Sequence, residues 1–229
     1  MPARHQAVGA LLVAALDDDA FARRRLAANP KRASDVDRER VIDCLSAAFA
    51  DDPVMCWIGR RDAKRDVGRR AMFSFLVGTL GIPGNELWTA EDYSAAALWI
   101  PPERADLKQP WWRELMMLPT IVRFTSLSGL SRVDAFRKAA DAHHPKVRPH
   151  FYLMTIGVDP KFQGQGLGSA LLEATLAKID ARGLPAYLES SSPKNVPLYR
   201  RHGFEVTKEF RPAPDAPPLW GMWREPKAH

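Results

Sequence analysis

Residues 151–169 constrain this chain more than any other stretch. An apolar run, Phe151 to Val158, leads into Asp159-Pro160-Lys161-Phe162-Gln163-Gly164-Gln165-Gly166-Leu167-Gly168-Ser169, and a helical pattern follows from Leu171 to Ile179. A strand that enters a glycine-rich turn and opens a helix gathers backbone N–H groups at the positive end of the helix dipole. Such a turn suits a phosphate. The spacing Gly164-x-Gly166-x-Gly168 departs from the G-x-G-x-x-G of dinucleotide folds, and no Lys-Ser/Thr pair follows as a P-loop needs. Apart from Glu189, which stands in a different context, no acidic residue suited to a ribose lies about 20 positions on. On these residues alone the segment is a phosphate-binding turn or a plain strand-to-helix connection.

The wider context is more specific. Gln163-x-x-Gly166-x-Gly168 directly follows Val158-Asp159-Pro160, and downstream stand Leu188-Glu189-Ser190-Ser191, Asn195-Val196-Pro197-Leu198-Tyr199 and Gly203-Phe204. Together these resemble the GNAT superfamily of acetyl-CoA-dependent N-acetyltransferases, in particular its puromycin N-acetyltransferase-like members. The resemblance covers about residues 148–210, is fainter over 33–100 and is absent over roughly 1–30. It implies an α/β fold with a mixed sheet, the GNAT acyl-CoA N-acyltransferase fold, here with an N-terminal helical extension.

Two cysteines, Cys44 and Cys56, stand in apolar surroundings, with no pattern of a disulfide framework or zinc site. A reducing, cytoplasmic setting is the expectation. The apolar run Ala7 to Leu16 is too short to span a bilayer, and Asp17-Asp18-Asp19 is a poor continuation for a signal peptide, so no membrane partner is expected. The formal net charge of +6 suits a polyanionic cofactor. The basic residues are spread among acids rather than clustered in a stripe, which argues against nucleic acid.

Residues 1–30 read as a helical extension ended by Asn29-Pro30, open to use as a homodimer contact, a lid or plain surface. Residues 31–229 then form one acetyltransferase domain, with the cofactor-binding half at about 148–210. Ser34 and Asp35 offer caps for a helix carrying Val41, Ile42, Leu45, Ala48 and Phe49, which Asp51-Asp52-Pro53 stops. A second amphipathic run spans Met72 to Leu80. Strands follow over 87–89 and 95–100, mostly helix over 103–147, and then strand 150–158, helix 166–182, strand 186–191, a short helix near 195–202, and strands 204–210 and 218–224. Only Lys31-Arg32-Ala33 is available for the first strand, which is expected to be a stub or missing.

The resemblance implies acetyl-CoA as the acetyl donor and a small-molecule amine as acceptor, an aminonucleoside or other antibiotic-like compound among them. It assigns Gln163, Gly164, Gln165, Gly166, Gly168 and Ser169 to the pyrophosphate. The strand through Ile156 and Val158 would pair with the pantetheine arm, and Asn195 and Tyr199 would lie beside the thioester. Gly157 fits a bulge, with an N–H near Val158 as oxyanion donor. Tyr199 is the candidate general acid, being protonated at neutral pH. Glu189, with Tyr187 and Ser191 on its side of the strand, is the candidate general base. His150, Tyr152 and a water chain are its rivals. His143 and His144 read as an exposed helix end, and without partners at metal spacing they suggest no metal site. Trp88, Trp99, Trp111, Trp112 and Trp220 are candidates to line an acceptor pocket, although each taken singly reads first as an ordinary core aromatic. No cysteine lies near the motif to carry the acyl group, which favours direct attack. Acetylation of a protein N-terminus or lysine, and a non-catalytic acyl-CoA-binding sensor, are the alternatives.

Overall fold

The computed structural model describes residues 29–105 and 111–227, and their side chains except at 105 and 111–116. All but the last two residues of the expected N-terminal extension, and the side chains of Trp111 and Trp112, lie outside that range. Among the described residues, seven strands form one mixed sheet in the order β1-β2-β3-β4-β5-β7-β6. They are β1 (Lys31–Arg32), β2 (Leu87–Thr89), β3 (Ala95–Ile100), β4 (Phe151–Val158), β5 (Ala186–Ser190), β6 (Glu205–Phe210) and β7 (Leu219–Arg224). Only β4 and β5 pair in parallel; the other neighbours are antiparallel.

The first strand is a stub of two residues paired to β2. Lys31 Nζ donates to Asp37 at 2.9 Å and to the Tyr93 hydroxyl at 3.2 Å, so a cluster of polar side chains anchors the short strand. Asp37 also accepts from the Ser34 N–H at 2.8 Å, which starts the following helix α1 (Arg38–Ala48). Its apolar side, Val41, Ile42 and Leu45, packs with Phe73 of α3 (Arg65–Leu76) against Ala96 and Leu98 of the sheet.

Asp51-Asp52-Pro53 does end α1, but it also begins α2 (Pro53–Ile58), which the apolar pattern did not predict. Proline is well placed in a first helical turn, and the Asp52 carboxylate caps it by accepting from the Met55 N–H at 2.9 Å. Helices α4 (Trp111–Thr125) and α5 (Leu130–His143) fill the stretch before β4. Opposite α1, the helix α6 (Leu167–Asp180) buries Leu171, Leu172, Leu176 and Ile179 against the other face of the sheet. The short α7 (Val196–Arg201) joins it there through Val196 and Tyr199.

A phase change in β4 shapes the site. Leu98 pairs with Thr155 but Trp99 pairs with Leu153, so Met154 is an extra residue. One extra residue turns every later side chain to the opposite face. Phe151, Leu153, Ile156 and Val158 therefore all pack on the α6 side, although the first two are odd-numbered and the last two even. The bulge expected at Gly157 is instead at Met154. Gly157 has a different reason to lack a side chain: a Cβ there would lie 2.7 Å from the Ala48 Cβ of α1.

Candidate functional site

Beyond the bulge, β4 loses its parallel neighbour. The β4–β5 ladder covers only Phe151–Leu153 against Ala186–Leu188, while β4 runs on to Val158. The next residues of β5, Glu189 and Ser190, stay with β7. The two central strands thus part, and among the described residues no strand pairs with the β5-facing edge of residues 154–158. Backbone groups alternate in direction along a strand. Asp159 directs its N–H back to Ser94 O at 2.9 Å, so the groups of Val158 and Ile156 point the other way, into the parting. There Val158 O accepts from Gln163 Nε2 at 3.2 Å.

The glycine-rich turn closes one end of this opening. Gly164 and Gly166 have φ of 76° and 78°, a left-handed conformation that a Cβ would strain. Gly166 is the N-cap of α6, and the first intrahelical bond runs from the Ala170 N–H to its carbonyl at 2.9 Å. The N–H groups of Leu167, Gly168 and Ser169 precede that bond and point out of the helix end. At Gly168 a Cβ would meet Val158 and Leu198, which brings the helix close to the strand end. Ser169 Oγ and His202 Nε2 are 2.7 Å apart, and burial lowers the pKa of that histidine.

A cleft of about 680 Å³ joins these parts. Ile156, Val158, Gln163, Gly164, Gly166, Gly168, Ser169, Asn195 and Tyr199 all line it, whereas Gln165 does not. The walls also include Arg201, a cation close to the turn, and Asp51 and Asp52 at the α1–α2 corner. Backbone donors, a strand edge with outward amides and a nearby guanidinium match the needs of an extended, pyrophosphate-bearing thioester such as acetyl-CoA.

Tyr199 is buried in the cleft wall, and its ring meets Phe204 edge-on at 6.1 Å. Burial first, and the Asp52 charge second, push its pKa well above the usual tyrosine value, so the hydroxyl keeps its proton. Asp52 escaped the sequence reading except as a helix stop. Its carboxylate caps α2 and accepts from the Ser191 hydroxyl just past β5. Burial raises its pKa despite those donors.

Glu189 lies outside the cleft lining, at the apex of the parting, one residue past the last β4–β5 pair. Its side chain is only 5% exposed. Oε2 accepts from the Tyr152 hydroxyl at 2.6 Å, a bond that spans β4 and β5 where they separate. Tyr187 is adjacent. Burial, reinforced by the Glu189 charge, raises the pKa of both tyrosines. Their hydroxyls stay protonated, which leaves Tyr152 as a donor to Glu189 rather than a base. His150 is buried and bonded to Arg148 O and His144.

One expectation fails here. His144 is not on an exposed helix end: its ring packs 5.0 Å from those of Tyr152, Tyr187 and His150, because the residue at the end of α5 turns in under β4 and β5. The His143 ring lies 4.2 Å from that of Phe210, tilted by 59°. Trp88 and Trp99, in keeping with the reading of each singly as a core aromatic, do not line the cleft but sit in the core on the α6 face, with Lys178 over the Trp88 ring. Trp220 is also absent from the cleft and donates to Glu209 at 3.0 Å.

Residues 133–206 match the family model described as an acetyltransferase (GNAT) domain. An uncharacterized N-acetyltransferase of Schizosaccharomyces pombe is 28% identical over 86% of this chain and 83% of its own length. A mycothiol acetyltransferase of Nocardioides sp. is 33% identical over 42% of this chain, which spans only 34% of that relative. Among solved structures, one described as histone acetyltransferase HPA2 and related acetyltransferase from Corynebacterium glutamicum is 26% identical, with a TM-score of 0.65 over 87% of this chain and 97% of that one.

Proposed function

We propose, from the match of residues 133–206 to a GNAT acetyltransferase domain, that this chain is an N-acetyltransferase that moves the acetyl group of acetyl-CoA directly to a primary amine of a small molecule. The observation that carries this reading is the parting of β4 from β5, with the glycine-rich turn at one end and Glu189 at its apex. The donor supplies an activated acetyl group as a thioester. Gln163, Gly164, Gly166, Gly168 and Ser169 would hold its pyrophosphate, with Arg201 as a further cation. The edge of β4 at Ile156 and Val158 would align the pantetheine amides, and the Val158 N–H would serve as donor to the thioester carbonyl.

Asp51 and Asp52 draw a protonated amine toward the cleft by their charge. Glu189 takes the proton that makes the amine nucleophilic. Tyr199 gives its hydroxyl proton to the departing thiolate. The aminonucleoside-like acceptor implied by the resemblance belongs to this reading. A peptide lysine is the second reading, supported by the similarity to the C. glutamicum protein described as a histone acetyltransferase.

Thiol release from acetyl-CoA tests both, with a polyamine, tyramine, an aminonucleoside and a lysine-containing peptide as acceptors. Turnover on at least one free amine above the peptide is expected. Peptide turnover alone would move the assignment to proteins. Binding of acetyl-CoA without turnover on any amine would leave a sensor instead.

A further inference from the structure

The hydrogen bonds around Glu189 are one proton short. His150 Nδ1 is 2.8 Å from the Arg148 carbonyl, and a carbonyl only accepts, so this nitrogen carries hydrogen. When His150 is neutral, its Nε2 is therefore a lone pair. His144 Nε2 lies 3.0 Å away and must be the donor. A neutral His144 then has its own lone pair on Nδ1, which faces Glu189 Oε1 at 3.7 Å. Among the described residues that buried oxygen makes no well-formed hydrogen bond, although the Tyr187 hydroxyl also interacts with the carboxylate, while Oε2 is satisfied by Tyr152. Two acceptors thus confront each other, one on a buried and one on a partly exposed side chain, and one added proton would satisfy both.

Resting on the reading of Glu189 as base, we propose that His144 is a positioning residue that receives the amine's proton from Glu189 and passes it to solvent. The balance is simple. An ammonium and a thioester become an amide and a thiol, and one proton is left over. The ammonium gives that proton to Glu189, and the carboxylic acid gives it to His144 Nδ1, forming an imidazolium beside a carboxylate. The second proton lost by the nitrogen replaces the one Tyr199 gives to the thiolate. His144 is 26% exposed, against 5% for Glu189, so it is the member of the pair that solvent or buffer can reach. The 3.0 Å link to His150 fixes the ring so that Nδ1 faces the carboxylate.

Among the described residues, the charged and titratable groups around the pair come from β4, β5, the segment before β4 and β7. Tyr152 of β4 and Tyr187 of β5 stay protonated. His150, on the segment before β4, holds the tautomer. Beyond Trp223 of β7, Arg148 and Glu225 pair with each other at 2.9 Å.

The test compares single-turnover rates of the full chain and its H144A, H144Q and E189Q variants, using whichever panel amine reacts fastest, in acid through alkaline buffers. H144A should lose at least about tenfold in rate with acetyl-CoA affinity unchanged, and added imidazole should restore it with saturation. H144Q keeps a donor for His150 or for Glu189 but carries no proton; it should be slow and refuse rescue. E189Q should be slow and equally deaf to imidazole. A wild-type rate in H144A or H144Q at every pH, with E189Q inactive, would remove the relay and leave the base in place. Full activity in E189Q would overturn the base and the relay together, as would a wild-type chain that acetylates no amine. If H144A does not bind acetyl-CoA, the H144Q rate and pH profile decide the question.

Discussion

At the scale of single residues, burial sets the division of labour. The Tyr199 phenol is held protonated by burial and by Asp52, so it is suited to give a proton and poorly suited to take one. Tyr199→Phe should lower turnover by about 10²-fold or more while leaving acetyl-CoA affinity nearly intact, as kcat and donor binding measured together will show. Asp52 separates charge from structure. Asparagine caps helices as well as aspartate does, so Asp52→Asn should preserve α2 and mainly raise KM for a cationic amine. The stability sign follows from its raised pKa. A buried carboxylate favours its protonated form in the fold, so its contribution is best at low pH and declines as pH rises. Thermal melts of Asp52→Asn at neutral pH should therefore match or slightly exceed those of the wild type; a large loss would refute the reading of Asp52 as a charge held against its solvation.

At the scale of elements, the site depends on how closely α1 approaches β4. Gly157→Ala would drive a methyl into Ala48, and relief requires moving the helix that leads to the Asp51-Asp52 corner. A loss of about 1–3 kcal/mol is expected in denaturant unfolding, with partial recovery on adding Ala48→Gly. The strand–turn–helix at 151–180 could be read from the chain because its signals are local: an apolar run, glycines at left-handed positions and a helical repeat. The bulge could not. A period of two does not reveal which residue is extra, and Gly157 attracted the assignment although its cause is packing against α1. Asp52 looked like a helix stop because the contact that gives it meaning, Ser191, lies 139 positions away. His144 was misplaced for a similar reason: nothing in α5 announces that its end turns under two strands.

At the scale of the whole molecule, the far end of α6 is tied to the last strand by a buried ion pair. Arg224 reaches Asp180 through two bonds of 2.6 Å and the His202 carbonyl at 2.8 Å, and both charged side chains are under a tenth exposed. Burial alone would raise the Asp180 pKa, but Arg224 and the Lys227 N–H more than offset it, so the net shift is downward. A depressed folded pKa gives stability that is complete above the unfolded value and lost as pH falls through the folded one. Acid unfolding of the wild type should therefore steepen below the ordinary aspartate range. Asp180→Asn, which strands Arg224, should cost about 3–5 kcal/mol near neutrality and remove part of that acid dependence. This pair holds α6, and with it the glycine-rich turn, against the sheet.

The central claim is that the parted edge of β4 and the turn before α6 together hold acetyl-CoA. Backbone hydrogen exchange with and without acetyl-CoA tests it most directly. Added ligand should slow exchange at Ile156 and Val158 and across Gly164–Ser169, and leave β6 unchanged. Protection confined to other segments, or none at saturating ligand, would contradict the account.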